Sequence, residues 1–280
     1  MTTAESISHY VYTSSDAVVK IIDATGHTRL NREIALAGDL PTGITATLLA
    51  CGLHRWGTSE VRYACYTRMP GATPGMNMPG VDGATARLLA EEAVQRLDRL
   101  HSWKPTGPAE QTLKETLDHG GFVGQPALFA EIETIAALDR NAIVPRHLLD
   151  GLTAIAKHAP THARTTVPVH ADCHWGNWLA RDQSVTALLD FEWARFGEPS
   201  DDWFFLASGP HIETVLDVIA SMTMTPEETL RAECEVREAT FLAADLREAV
   251  ELPDTPTWVK RRLGHLEQLI IGRRWWHHTR

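Results

Sequence analysis

The chain has 280 residues, 44% of them hydrophobic and 22% charged, with 26 Lys and Arg against 36 Asp and Glu, for a formal net charge of −10. That length and apolar content support the core of one large or two ordinary domains, and the negative balance argues against a nucleic-acid backbone or an anionic membrane as partner while favouring a cationic one. No run of 18 or more apolar residues predicts a membrane span, no basic region precedes an apolar stretch at the N-terminus, and Cys51, Cys65, Cys173 and Cys234 form no C-x-x-C pair, so a cytoplasmic setting without a disulfide or zinc framework is expected.

Ala17-Val18-Val19-Lys20-Ile21-Ile22 is a β-branched run and predicts a strand, closed by turn residues from Asp23 to Gly26. Leu30, Ile34 and Ala37 share one face of a helix predicted over 28–37, with Thr28 as its N-cap and Asp39-Leu40-Pro41-Thr42-Gly43 as its stop. Val61 to Tyr66 predicts another strand, ended by Met69-Pro70-Gly71. From Gly71 to Gly83 the chain is rich in Gly, Pro and Met, as a linker is. Ala86, Ala90, Val94, Leu97 and His101 then recur at helical spacing, and 146–158, 211–221, 226–250 and 257–276 also read as helices. The expected outline is an α+β chain with a small β-rich N-lobe over 1–70 and a larger, mainly helical C-lobe over 71–280.

The most informative stretch is His170-Ala171-Asp172-Cys173-His174-Trp175-Gly176-Asn177, followed by Leu188-Leu189-Asp190-Phe191-Glu192. It reads H-x-D-x-x-x-x-N and then an apolar run ending in an acid, the layout of a phosphoryl-transfer loop and its metal-binding aspartate. Residues 177–180 and 185–189 flank the turn-like Arg181-Asp182-Gln183-Ser184 and predict a hairpin with a four-residue loop. Pairing Ala180 with Val185 would set Asn177 opposite Leu188 and put Asp190 on Asn177's face. An acid and an amide converging there suit magnesium, which prefers oxygen ligands. Phosphoryl transfer needs positioning and charge neutralisation more than covalent help. Asp172 would orient the acceptor hydroxyl and take its proton, Asn177 and Asp190 would hold Mg2+ against the nucleotide phosphates, and His170 would brace the loop.

At these residues the chain resembles the aminoglycoside phosphotransferase and choline kinase-like family, which has a protein-kinase-like two-lobed fold. Its members show H-G-D-x-x-x-x-N, then an I-D-W/F-E run, then G-D-P-x-x-D-L. Here the matches are His170, Asp172 and Asn177; Leu189-Asp190-Phe191-Glu192; and Gly197-Glu198-Pro199-Ser200-Asp201-Asp202-Trp203. The resemblance implies Asp172 as catalytic base, Asn177 and Asp190 as metal ligands, Asp202 as the structural acid behind the loop, and Glu192 as a weaker candidate near the metal. It extends to Lys20 on the nucleotide phosphates, Glu33 as its ion-pair partner, and an inter-lobe hinge at Tyr66-Thr67-Arg68-Met69-Pro70-Gly71. There the Thr67 carbonyl and Met69 N–H would meet the base of ATP (or GTP). Leu97 to His101 resembles the helix ending in L-H that opens the larger lobe. The activity implied is ATP- or GTP-dependent phosphorylation of a hydroxyl on a small cationic molecule. An antibiotic is the leading acceptor, either an aminoglycoside or a cyclic peptide of the capreomycin and viomycin type.

One feature departs from that pattern. No Gly precedes Gly26, so the Gly-rich loop that covers phosphates in kinases has only Glu5-Ser6-Ile7-Ser8-His9-Tyr10 to stand in for it. The first strand is therefore expected to be missing or very short. This keeps open a non-catalytic kinase-like binding protein, as well as a kinase of choline, an amino alcohol or a sugar. His170-x-Asp172-x-His174 also matches a zinc-hydrolase cluster, which leaves Asn177 and Asp190 without a role. Trp175, in the loop, is a candidate stacking wall for the acceptor, against the simpler role of core packing. The terminal Trp275-Trp276-His277-His278 reads as a helix end packing its aromatics. Between Glu227 and Asp254 acids outnumber bases, which reads first as a solvated helix face, while the family resemblance implies that one or two of them face the cleft and grip the acceptor's ammonium groups.

Overall fold

The computed structural model describes residues 2–4, 9–25, 28–75, 78, 80–117, 121–209, 211–252 and 256–276. Strands β1 (Thr2–Ala4), β2 (Tyr10–Thr13), β3 (Ala17–Asp23), β4 (Leu48–Trp56) and β5 (Ser59–Thr67) form one antiparallel sheet in the order β1-β2-β3-β5-β4. Helix α1 (Arg29–Ala37) crosses one face of it, and Leu30, Ile22, Ala46, Ala64 and Tyr66 make a small core between them. The expected strands and helix over 17–37 and 61–66 are present with slightly different ends. Thr28 stands at the N-cap of α1 but makes no side-chain cap bond.

The first strand exists and is short: β1 has three residues and pairs with β2, Thr2 opposite Thr13 and Ala4 opposite Val11. Glu5 to Ser8 of the proposed phosphate-covering segment lie outside the described residues. The sequence reading missed β4, a nine-residue edge strand whose burial never alternates, so that Leu49, Leu53 and Trp56 are exposed.

The chain then crosses to the larger part, where Ala72 pairs with Ala180 and Gly75 lies against Trp175. Helix α2 (Gly83–Ser102) is capped by the Asp82 carboxylate, which accepts from Thr85 N at 2.7 Å, and buries Ala86, Leu89, Ala90, Ala93, Val94, Leu97 and Leu100. It is followed by α3 (Gly107–Lys114), α4 (Gln125–Leu138), α5 (Arg146–His158), β6 (Val167–Val169), the hairpin β7 (Trp178–Arg181) and β8 (Ser184–Leu188), a 3-10 turn (Phe191–Trp193) and β9 (Arg195–Gly197). Four helices close the chain: α6 (Pro199–Ala207), α7 (Ile212–Thr223), α8 (Glu227–Glu251) and α9 (Val259–Ile270). The two-lobed α+β outline is thus present. The helix expected over 257–276 stops at Ile270, and Trp275 folds back fully buried. Among the described residues no helix is long and apolar enough to cross a membrane.

The β7–β8 hairpin corrects one expectation. Asp182 and Gln183 both hold positive φ (50° and 67°), so the loop has two residues, in the left-handed conformation of a type I′ turn. Ala180 does pair with Val185, but Leu179 pairs with Ala187, which leaves Thr186 as an extra residue. That bulge slips the pairing by one. Trp178, and not Asn177, lies opposite Leu188, while Asn177 meets the chain through its carbonyl, which accepts from Leu189 N at 2.7 Å.

Gly71 has φ 118°, and a Cβ built there would lie 2.5 Å from the Ala180 carbonyl oxygen. Gly71→Ala is therefore expected to destabilise the fold by roughly 2–4 kcal/mol, since it combines backbone strain with a clash against main chain that cannot move aside. Urea unfolding followed by circular dichroism would measure it.

Candidate active site

The catalytic-type loop starts where β6 ends. The Asp202 carboxylate, fully buried at the start of α6, accepts from the backbone N–H of His170 (3.0 Å) and of Ala171 (2.7 Å). It also bonds His101 Nε2 at 2.9 Å, at the end of α2. Burial works against the Asp202 charge, yet His101 and the loop's N–H groups hold its pKa below the ordinary carboxylate value. One acid thus fastens three segments. His170, pushed towards the neutral form by burial, donates from Nε2 to the Leu189 carbonyl at 2.7 Å and lays its ring on Phe191. Ala171 is forced to φ 64°, a region that favours glycine, and Gly is what the family pattern carries at that place.

The loop then folds on itself. His174 N donates to Asp172 O, Asn177 N donates to His174 O, and the Asn177 amide nitrogen donates to both Asp172 O (3.0 Å) and Asp172 Oδ2 (2.7 Å). Asn177 therefore orients the Asp172 carboxylate. Burial first, and then the nearby charge of Asp190, push the Asp172 carboxyl up to about 7.

A second cluster spans the two lobes. Lys20, on β3, places Nζ 2.7 Å from Glu33 Oε2 on α1 and 2.5 Å from Asp190 Oδ1 after β8. Burial disfavours the Lys20 charge, but Glu33 and Asp190 outweigh it and hold the ammonium above its ordinary value. Burial likewise opposes the Asp190 charge, and Lys20 overcomes it and draws the carboxyl down to about 2. Glu33 stays above the ordinary carboxylate range because burial outweighs its partner. Burial and the Asp190 charge raise the Glu192 carboxyl to about 8. Glu33, Asp190 and Glu192 bring ligand oxygens within 4.8 Å of one another.

Asp190 and the turn after it are gripped from the small lobe. Arg32 of α1 donates to the Glu192 carbonyl (3.2 Å) and the Ala194 carbonyl (2.6 Å), and also bonds Glu115. Arg29 lies over the Trp193 ring, 5.1 Å from its centre, with Nε 3.6 Å from Glu192 Oε2. His9 Nδ1 is 3.3 Å from Glu192 Oε1. The sequence reading assigned Arg29 and Arg32 no role, and named His9 only within the segment that stands in for the Gly-rich loop. In the sequence they look like ordinary polar residues of a strand end and an amphipathic helix, because their partner Glu192 lies 160 or more residues away and only the folded chain brings them together.

The structure thus brings Lys20, Glu33 and Asp190 together, and Asp172 and Asn177 together, with Leu189 joining the groups. Thr67 is the last residue of β5, and Met69, half-buried, packs on the small-lobe core. The zinc grouping does not form: His170 spends Nε2 on Leu189, while His174 Nδ1 accepts from Gly176 N and its Nε2 is 3.8 Å from Asp172. Trp175 is a buried packing residue and not a stacking wall. It is 3% exposed, bonds the Leu206 carbonyl and lies against Trp178. Most acids of α8 are taken by internal partners: Glu227 by Arg231, Glu233 by Ser200, Glu235 by Trp276, Glu238 by Trp275 and Arg274, Glu251 by Arg247, and Asp245 by Arg262. Asp254 lies outside the described residues. Glu228, Glu233 and Glu235 line a cleft of about 660 Å³ with Ile155, His158 and Trp276.

Comparison with known proteins adds three findings. A family model described as the phosphotransferase enzyme family matches residues 10–217. No curated protein sequence matches the chain. Among solved structures, the GDP complex of wild-type aminoglycoside 2'-phosphotransferase-IIIa is similar at a TM-score of 0.75 and 18% identity, covering 96% of this chain and 91% of that one. A ternary complex of a thermostable aminoglycoside phosphotransferase APH(4)-Ia mutant with AMP-PNP and hygromycin B is similar at 0.59 and 15%, covering 95% and 92%. The apoenzyme of macrolide 2'-phosphotransferase MphH from Brachybacterium faecium is similar at 0.61 and 18%, covering 95% and 91%. At these identities the likeness is one of fold.

Two stability outcomes follow from the loop. Asp202→Ala is expected to cost about 3 kcal/mol or more, because it strands two buried N–H groups and His101. Ala171→Gly is expected to stabilise by roughly 0.5–1 kcal/mol, the relief of left-handed strain less the added chain entropy. Chemical denaturation of the two variants, side by side with the parent, checks both signs.

Proposed function

Because the chain belongs to the phosphotransferase enzyme family, we propose that it is an ATP- or GTP-dependent O-phosphotransferase whose acceptor is a hydroxyl of a small cationic antibiotic. The observation that carries this reading is the meeting of Lys20, Glu33 and Asp190 across the lobes, beside an Asp172 that Asn177 orients. Aminoglycosides are the first acceptor class, and cyclic peptides of the capreomycin and viomycin type the second. A net charge of −10 supports a cationic acceptor. The role would be resistance or self-protection.

The residues fit a magnesium ion. The carboxylates around Asp190 are hard oxygen donors, and Asn177 spends its amide nitrogen on Asp172, which leaves its carbonyl oxygen for a cation. Asp190 and Asn177 would hold the ion, which when bound would neutralise phosphate charge. Lys20 would exchange Asp190 for the nucleotide phosphates while Glu33 keeps it aimed. Thr67 and Met69 would receive the base through backbone groups at the end of β5. Asp172 would accept a hydrogen bond from the acceptor hydroxyl and take its proton as the oxygen attacks the terminal phosphorus, whose bond to the bridging oxygen breaks and releases the nucleoside diphosphate. A carboxylate raised to about 7 is poised for that task, since a base works best when its pKa is near the working pH.

The direct test is mass-spectrometric screening of cationic antibiotics for an added phosphate, with magnesium and either nucleotide. A full panel without phosphorylated product or nucleotide consumption would refute the reading. Asp172→Asn is expected to lower turnover by about 10²–10⁴-fold with nucleotide binding retained. Because the base works deprotonated, kcat/KM for the parent should fall as pH drops through about 7, well above the ordinary carboxylate range.

A further inference from the structure

We propose that His9 contacts the phosphates of the bound nucleotide and does with a side chain what a glycine loop does with backbone N–H groups. This rests on the phosphotransferase reading and adds a residue to it.

The placement comes first. Val11 of β2 is paired directly with Lys20 of β3, and residues opposite each other in an antiparallel pair share a face. His9 immediately precedes β2, and its approach to Glu192, two residues from Lys20's partner Asp190, puts it on the side that carries Lys20. Its side chain is 1% exposed and its Nδ1 reaches Glu192 Oε1 at 3.3 Å, at the edge of the carboxylate group formed by Glu33, Asp190 and Glu192. Lys20 and His9 are therefore neighbouring donors on one side of the sheet, aimed at two acids, Asp190 and Glu192, of the same short segment.

The electrostatics point the same way. A triphosphate brought against three carboxylates is repelled unless donors turn towards it. Lys20 supplies one such group. Imidazole supplies another in either protonation state, because the neutral ring keeps one N–H. With a cation held among the carboxylates, Lys20 would turn from Asp190 and His9 from Glu192 towards phosphate oxygens, Glu33 remaining with Lys20. The sequence gives a reason for the substitution: before Gly26 there is no glycine whose backbone could approach the phosphates closely.

The experiment compares affinities for adenosine, guanosine and their triphosphates, with magnesium, by calorimetry on the parent chain, His9→Ala and His9→Gln. The proposal expects His9→Ala to lose about tenfold or more in triphosphate affinity while nucleoside affinity stays the same. His9→Gln, which keeps an N–H donor and most of the volume, should recover most of the loss and also serves if His9→Ala fails to fold. Unchanged triphosphate affinity in His9→Ala would overturn the proposal. Equal losses for nucleoside and triphosphate, with no recovery in His9→Gln, would also overturn it, because that is the signature of a packing role. A parent chain that binds no nucleotide at all would sink the phosphotransferase reading itself, and that result is read from the parent alone.

Discussion

Lys20 carries a full charge into a place where burial disfavours it, and Glu33 and Asp190 hold it there. Each of the three partners belongs to a different piece of the fold: the sheet, the helix laid across it, and the segment leaving the β7–β8 hairpin. Lys20 and Glu33, both largely buried, would not tolerate these positions alone, since an unpaired buried charge costs several kcal/mol. The lobes must therefore meet in one geometry for all three to be satisfied. Arg32 and Arg29 reinforce that geometry by holding the turn after Asp190 from the small lobe.

Behind this cluster stands a second, mostly neutral scaffold. Asp202 collects the amides of His170 and Ala171 and the ring of His101, and His170 passes the restraint on to Leu189, one residue from Asp190. The reactive-type carboxylate, Asp172, is the loosely satisfied member of the group. Its pKa is raised where Asp190 and Asp202 are lowered. Differences in surroundings alone divide three aspartates into one raised carboxyl, one charge partner and one tether.

Much of this was legible in the sequence, and the boundary has a physical origin. The motif residues announce themselves because their chemistry depends on short spacing, so Asp172, Asn177, Asp190 and Asp202 could be named without coordinates. The hairpin between them could be foreseen but not its register, because a bulge at Thr186 and two left-handed residues in the loop are choices of backbone with no pattern in hydrophobicity. Strand β4 and helix α6 escaped for opposite reasons, the first exposed almost throughout and the second buried on nearly every side, so neither shows periodicity. Trp175 reads first as core packing and only second as a stacking wall, and it does pack in the core, while the acids of α8 that read as a solvated face are mostly engaged by internal partners. His9, Arg29 and Arg32 looked ordinary, because their meaning lies in partners more than 150 residues away.

That distance bears on how the chain acquires its function. The bond between Lys20 and Asp190 closes a loop of 170 residues, while the strands and helices around each are built from far more local contacts. Long-range closure is the slow step of a folding chain, because its entropy must be spent before any contact repays it. A nascent or partly folded chain can therefore own a complete small sheet and a complete catalytic loop and still lack a nucleotide site. On the function proposed above, nucleotide affinity would report that folding has finished, and nucleotide would stabilise only those molecules in which Lys20 and Asp190 have found each other.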